Sequence, residues 1–304
     1  MGSPRFAIPS LERLVQERYD IAAVYTQPDR PAGRGKSPVA PPVKEAALRL
    51  GIPVFQPESL RSPEAVARLA ELRPDVIVVC AYGQILPVPV LDIPPYRCVN
   101  VHFSLLPRWR GAAPVAAAIL AGDAFTGVSI MLVEKRLDTG PVLAAAAVPV
   151  MARDNTGALT AKLALVGAGL LLEAMSGWTR GEITPRPQDD AAATYFPEVK
   201  KDAGKIDWRR PAVEIWRMVR AYNPWPGSYT TWNGRQIKIL EATVPPGRAS
   251  PGAGRVVELA GAFGVGAGEG ILGVSRVQLE GKRAMSAEEF LRGQRDFIGD
   301  VLPS

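Results

Sequence analysis

The 304-residue chain has one histidine, His102, and two cysteines, Cys80 and Cys98. That scarcity excludes a disulfide framework and argues against a zinc site, which draws mainly on these residue types. Both cysteines lie in apolar, strand-like runs and read as buried free thiols of a reducing cytoplasm. No apolar run approaches the roughly 20 residues that a bilayer helix needs. The first residues lack a signal-peptide pattern, and Phe6 stands where N-myristoylation wants Ser or Thr. G-x-S-x-G is missing, which removes the usual serine-hydrolase reading. Asp138-Thr139-Gly140 occurs once, whereas an aspartic protease needs two such carboxylates. An opening strand is missing too. Residues 1–7 are too short and too broken by Pro4 to form one, so the chain enters at the loop after a first strand.

What is present is ordinary for a globular protein: 47% hydrophobic and 22% charged residues. The net charge is +6 and the isoelectric point about 9.4. Such an excess serves equally a solvated surface or a polyanionic partner.

The patterning predicts helices and strands in alternation. Apolar strand-like runs fall at 21–26, 75–81, 97–102, 127–133 and 143–150, with helical stretches at 11–19, 43–50, 62–72, 112–121 and 156–176. The 75–81 run, D-V-I-V-V-C-A, is the pattern of a strand buried on both faces. Alternation of this kind predicts an α/β fold, a Rossmann-like doubly wound parallel sheet whose ligands bind beyond the carboxyl ends of its strands. Near residue 180 the texture changes. After a Pro- and Asp-containing linker come one helix, 212–220, and short strands at 227–232, 236–242, 254–259 and 270–279, which suggest a small antiparallel barrel. The expected division is 1–183, a linker at 184–200, and 201–304. Glycine-rich 261–270 lacks the Lys-Ser/Thr of a phosphate loop and leads into a strand, so it reads as a hairpin turn.

Chemistry concentrates at residues 97–114. Asn100 and His102 are two apart, so a strand puts both on one face. Histidine is the usual base near neutral pH, an amide can donate to a developing oxyanion, and Asp138 lies in a loop between two strands from which it could reach the same strand end. On spacing alone, a structural histidine explains His102 as well. Two basic sets flank this segment: the loop with Arg34 and Lys36, and Lys200, Lys201, Lys205, Arg209, Arg210, Arg217 and Arg220. They suit a large polyanion held by its backbone.

Several motifs carry a resemblance that covers essentially the whole chain. They include G-S-P-x-F-A, T-Q-P-D-R-P-A-G-R-G-K, V-V-x-A-Y-G-Q-I-L-P, N-V-H-x-S-L-L-P-R-W-R-G-A-A-P, L-D-T-G-P-V-L, K-I-D-W, R-A-Y-N-P-W-P and G-K-R-A-M-S. In this order they resemble the methionyl-tRNA formyltransferases. The resemblance implies a formyl-binding Rossmann-type domain and a C-terminal barrel resembling an OB-fold. It implies transfer of the formyl group of 10-formyltetrahydrofolate to the α-amine of methionyl-initiator tRNA. By position, Asn100, His102 and Asp138 become the catalytic set. Ser104, Leu105, Leu106 and Pro107 become the folate-contacting stretch, and the loop with Arg34 and Lys36, joined by Lys201 and Lys205, becomes the tRNA contact. A cytoplasmic monomer is expected.

Sugar-nucleotide N-formyltransferases, glycinamide ribonucleotide formyltransferase and the formyltetrahydrofolate hydrolase domain would share the same three residues. A non-catalytic RNA-binding protein would not need them. Two departures stand out. The family's apolar first strand is missing, which leads us to expect that Met1 stands inside a longer chain. Phe103 replaces a small residue, and either packs into the sheet or crowds the site.

Overall fold

The computed structural model describes residues 1–32 and 37–304. The chain forms two compact units. The first comprises residues 1–114, 125–149 and 160–196; the second comprises 115–124, 150–159 and 197–304. The stretch expected to link two domains is therefore divided, and its part through Phe196 belongs to the first unit.

The first unit opens with α1 (Ile8–Gln16), β1 (Val24–Tyr25), the ribbon β2 (Arg30–Ala32) and β3 (Ser37–Val39), and α2 (Pro42–Arg49). Next come β4 (Val54–Phe55), α3 (Pro63–Glu71), β5 (Ile77–Val79), the short α4 (Val88–Leu91), β6 (Cys98–His102) and β7 (Arg110–Gly111). Ser62 caps α3 as its sequence predicts, its side chain accepting the Ala65 N–H at 3.1 Å. α5 (Pro114–Ala121) lies in the second unit beyond Pro114; the first unit resumes with β8 (Phe125–Leu132) and β9 (Val142–Pro149), then the long α6 (Thr156–Thr179) from residue 160 onward, and β10 (Tyr195–Phe196).

The sheet is parallel where β1 meets β4 and β5 meets β6, and antiparallel through β6, β8 and β9. It is interrupted between β1 and β5. There Met1 and Gly2 stand alone, Gly2 in a parallel bridge with Cys80. Packed around these strands is a cluster that includes Leu60, Leu69, Ile77, Tyr82, Val90 and Cys98. Both cysteines are free, and burial pushes both thiols up to about 12.

One helix does meet the length and composition of a membrane span, contrary to the sequence expectation. It is α6, with 24 residues and a mean hydropathy of 1.6 over its most apolar window. Within the first unit it lies against the sheet, where a Cβ on Gly167 would come 2.9 Å from Val101 and 3.2 Å from Val128. Phe103, half of the open question above, packs: it is buried and its ring lies 5.5 Å from that of Phe6 at 56°.

The second unit holds α7 (Ala212–Ala221) and a six-stranded antiparallel sheet. Its strands are β11 (Ser228–Trp232), β12 (Arg235–Thr243), β13 (Val256–Leu259), β14 (Ala262–Gly266) and β15 (Ile271–Leu279), ordered β11-β12-β15-β14-β13. A short β16 (Met285–Ser286) pairs β15 and leads into α8 (Ala287–Gly293). The glycine-rich run is not one turn but β14 between two turns, with positive φ at Gly261 and Gly270. Trp208, Phe263, Phe290 and Phe297 fill the core, three of their rings meeting near-perpendicular or tilted at 4.9–6.0 Å.

Candidate active site

β6 ends at His102, with β5 on one side (Val79 opposite Asn100) and β8 on the other (His102 opposite Ser129). Asn100 and His102 share a face by strand periodicity. Beyond His102 the chain turns at Ser104 to Arg108, and the turn is built by side chains. Ser129 Oγ donates to the Ser104 carbonyl at 2.8 Å and accepts the Leu106 N–H at 3.1 Å. The Ser104 hydroxyl donates to the Arg108 carbonyl at 2.6 Å. Ser104 is fully buried, and the Leu106–Pro107 peptide is cis. Ser104 is thus a turn-building serine, not a nucleophile.

The imidazole of His102 is 6% exposed. Its Nε2 lies 3.0 Å from the Trp109 carbonyl. A carbonyl only accepts, so this contact assigns the hydrogen to Nε2 and the lone pair to Nδ1. Nδ1 faces Asp138, whose Oδ2 is 3.8 Å away. That is too long for a hydrogen bond but close enough to stabilise a positive ring electrostatically. The Trp109 carbonyl orients the ring, and Asp138 supplies the field. Among the described residues, the Asn100 amide meets no protein hydrogen-bond partner.

Both groups facing His102 are braced by residues 188–196. Trp109 holds a left-handed φ of 59°. Its N–H donates to Thr194 Oγ1 at 2.8 Å, and the next N–H, of Arg110, donates to the Thr194 carbonyl at 2.8 Å. β7 then pairs β10 in parallel. Asp138 also sits at a positive φ, 53°, a costly backbone for a residue with a Cβ. Gln188 holds it there, its Nε2 donating to the carbonyls of Asp138 at 2.9 Å and Gly140 at 2.7 Å. The Asp138 carboxylate accepts the Gly111 N–H at 2.9 Å. Gly111 must be glycine: its φ is 108°, and a Cβ would stand 2.4 Å from the Phe196 carbonyl oxygen.

Arg110 anchors this brace. It is 1% exposed and uses its whole fork: Nε to Gln188 Oε1 at 3.0 Å, one terminal nitrogen to the Tyr195 hydroxyl at 2.8 Å, the other to Asp190 Oδ1 at 2.8 Å. The hydrogen bond from Arg110 holds the Asp190 carboxyl below its ordinary value. Sequence reading missed Gln188, Asp190 and Thr194. They lie in a stretch without apolar periodicity, because it docks by side-chain hydrogen bonds rather than by a buried face. A usable signal was Arg110 itself, the second arginine of R-W-R and the one that leads directly into the small run Gly111-Ala112-Ala113.

Of the basic candidates, Arg34 and Lys36 lie outside the described residues. Lys201 is exposed, at the start of a single turn ending at Gly204, and the Lys205 ammonium donates to the Ser304 carbonyl at 3.1 Å. Arg209 and Arg210 are paired with Asp207 and Glu214 at 2.8 and 2.7 Å. Arg220 donates to the carbonyls of Asp154 and Met151 and stacks on Trp216 at 4.3 Å. The second basic set is therefore smaller than its composition suggests.

The family model for formyl transferase matches residues 1–175, and that for the formyl transferase C-terminal domain matches residues 198–295. The chain is 53% identical over 304 residues to the methionyl-tRNA formyltransferase of Roseiflexus castenholzii, covering 99% of this chain and 97% of that one. It is 46% identical to the methionyl-tRNA formyltransferase of Pseudomonas entomophila, covering 97% and 95%. Among solved structures it resembles WlaRD, a sugar 3N-formyl transferase, with a TM-score of 0.68 at 17% identity, covering 93% of this chain and 97% of that one. It also resembles HypX from Aquifex aeolicus in complex with tetrahydrofolic acid, with a TM-score of 0.59 at 18% identity, covering 84% and 44%.

Proposed function

The chain belongs to the methionyl-tRNA formyltransferase family, and from that premise we propose how its residues carry the reaction. The enzyme transfers a formyl group from 10-formyltetrahydrofolate to the α-amine of methionyl-tRNA, the modification that marks the initiator. An α-amine has an ordinary pKa of about 7.7–8.0 and attacks only when neutral. Its nitrogen bonds to the formyl carbon, and the carbonyl π electrons move to oxygen. Asn100 donates to that oxyanion. His102 takes the amine proton at Nδ1, and the Asp138 carboxylate stabilises the resulting imidazolium. Collapse breaks the bond to the folate nitrogen, which leaves with the proton that His102 returns. The observation that supports this reading is the contact of Nε2 with the Trp109 carbonyl, which leaves the basic nitrogen facing Asp138.

Ser104, Leu105, Leu106 and Pro107 contact the folate through their turn, since the Ser104 hydroxyl is engaged internally. Residues 1–183 are the formyl-transfer domain. Residues 201–304 form an OB-like barrel that holds the tRNA backbone, with Lys201 and Lys205 joined by Arg34 and Lys36 of the first domain. The enzyme acts as a cytoplasmic monomer.

The test is an acceptor comparison. Formyl transfer is measured to methionyl-tRNA, to an amino-sugar nucleotide and to water. Transfer to methionyl-tRNA is expected to exceed the others by orders of magnitude and to fall as salt rises, with a log–log slope of about −0.7 to −0.9 per phosphate neutralised. Preference for the amino-sugar nucleotide, or no transfer at all, would overturn the reading.

The brace gives a second expectation. Gln188→Ala should lower kcat about tenfold, since misplacing a reacting group by about 1 Å can cost up to about 10²-fold. The KM for methionyl-tRNA should change little. A raised KM at constant kcat would show that Gln188 serves binding instead.

A further inference from the structure

Buried Arg110 fixes groups that stand on the surface of the first unit. Tyr195 is 60% exposed and the Asp190 side chain 59%. Tyr195 is the register partner of Arg110, so both side chains leave the β7–β10 ribbon on one face. The tyrosine hydroxyl accepts a hydrogen bond from Arg110 at 2.8 Å, and the guanidinium lies against the ring, 5.6 Å from its centroid. An exposed tyrosine is ordinarily free to change rotamer. This one is pinned at its far end, with one face on Arg110 and the other toward solvent. Asp190 is shared between two arginines. Its Oδ1 accepts from Arg110 at 2.8 Å and its Oδ2 from Arg136 at 3.3 Å. Asp190 is already neutralised by Arg110, so it holds Arg136 by the longer of its two bonds. Arg136 belongs to the loop between β8 and β9, two residues before Asp138.

We propose that the Tyr195 ring and the Arg136 guanidinium seat the terminal nucleotide of the acceptor, its base stacked on Tyr195 and its 5′-phosphate against Arg136. The proposal rests on methionyl-tRNA being the acceptor. The scale of the site fits. From His102 Nε2 the path runs 3.0 Å to the Trp109 carbonyl oxygen, then to Arg110 and across to its register partner Tyr195. That places the Tyr195 Cα within about 12 Å of the imidazole. The Arg136 Cα stands within about 7 Å of that of Asp138. In methionyl-tRNA roughly eight bonds, about 10 Å, separate the α-amine from the 5′-phosphorus of the terminal nucleotide, and the base hangs from the same ribose. An amine at His102 Nδ1 therefore brings both parts of the nucleotide within reach of Tyr195 and Arg136. Stacking suits an unpaired end, since every base has a π-face, and a ring already pinned loses little rotamer freedom on binding. The Arg136–Asp190 pair is exposed on both sides, 75% and 59%. Such pairs contribute little stability, so the guanidinium can exchange its carboxylate for a phosphate, which its fork fits equally well.

The experiment measures KM for methionyl-tRNA, 3′-O-methionyl-AMP and 3′-O-methionyl-adenosine in the full chain and its variants. Wild-type transfer to methionyl-tRNA, taken first, tests the acceptor assignment by itself. Given that transfer, Tyr195→Ala should raise KM for all three acceptors, within the about 5- to 150-fold that one stacked base contributes. Tyr195→Phe keeps the ring and should hold the wild-type KM. The wild type should prefer methionyl-AMP to methionyl-adenosine. Arg136→Ala should erase that preference and flatten the log–log salt slope for methionyl-tRNA by about 0.7, one phosphate of a single strand. KM for 10-formyltetrahydrofolate should stay constant throughout. Tyr195→Ala leaves a buried Arg110 nitrogen without its hydroxyl, so circular dichroism checks its fold; if it unfolds, Arg136→Ala, at a side chain 75% exposed, decides. A loss of kcat at constant acceptor KM in Tyr195→Ala, or Tyr195→Phe as poor in KM as alanine, would overturn the stacking seat. A preference for methionyl-AMP that survives Arg136→Ala, or that the wild type lacks, would overturn the phosphate contact.

Discussion

His102→Ala is expected to lower kcat/KM for methionyl-tRNA formylation by about 10²–10⁴-fold, the range general base catalysis contributes. The protein should stay folded. The ring is buried, but its polar contacts are one carbonyl and one carboxylate at 3.8 Å, and none of them builds the sheet. Circular dichroism and Tm then separate lost chemistry from lost structure. Near-wild-type turnover would sink the assignment. The same geometry predicts a coupling. Asp138→Ala alone should lose at least about tenfold, because the imidazolium forms without its counter-charge. In a His102→Ala background the same change should cost little, since there is no longer a cation to stabilise. Additive losses would mean that Asp138 acts on something other than His102.

The second large effect concerns Asn100. Asn100→Ala should reduce kcat by about 10²–10³-fold, the loss typical of removing one oxyanion donor. The physical reason is differential binding. The amide has no protein partner among the described residues, so its donor is free for charge that develops only as the amine adds. KM should therefore move little. A raised KM with kcat preserved would make Asn100 a substrate-binding residue and leave the oxyanion without an assigned donor. Asn100→Asp keeps the volume but offers a carboxylate to a negative oxygen, and should be at least as poor as alanine.

Much of this site was legible beforehand because it depends on short-range geometry. Two residues two apart on a strand share a face whatever the strand packs against, so the Asn100–His102 pair followed from spacing. Asp138 followed from its loop between strands, β8 and β9. The brace was not legible. Arg110 meets Gln188 at a separation of 78 residues and Trp109 meets Thr194 at 85, and both partners lie in a stretch whose composition reads as a linker. Nor did charge counting show that Arg209 and Arg210 are neutralised by nearby Asp207 and Glu214.

The division has a physical basis. Sequence alone determined what local rules control: the alternation of helix and strand, the apolar β5, the cap at Ser62, and the ordered motifs that place the chain in its family. Tertiary structure decided what depends on distant groups meeting. It decided which ring nitrogen of His102 carries the hydrogen, since that rests on the Trp109 carbonyl. It decided that Asp138 holds a left-handed backbone, since Gln188 fixes it from another segment. It decided that Phe103 packs beside Phe6. Periodicity records which face of an element is apolar; it carries no record of which hydrogen-bond partner will be found across the fold.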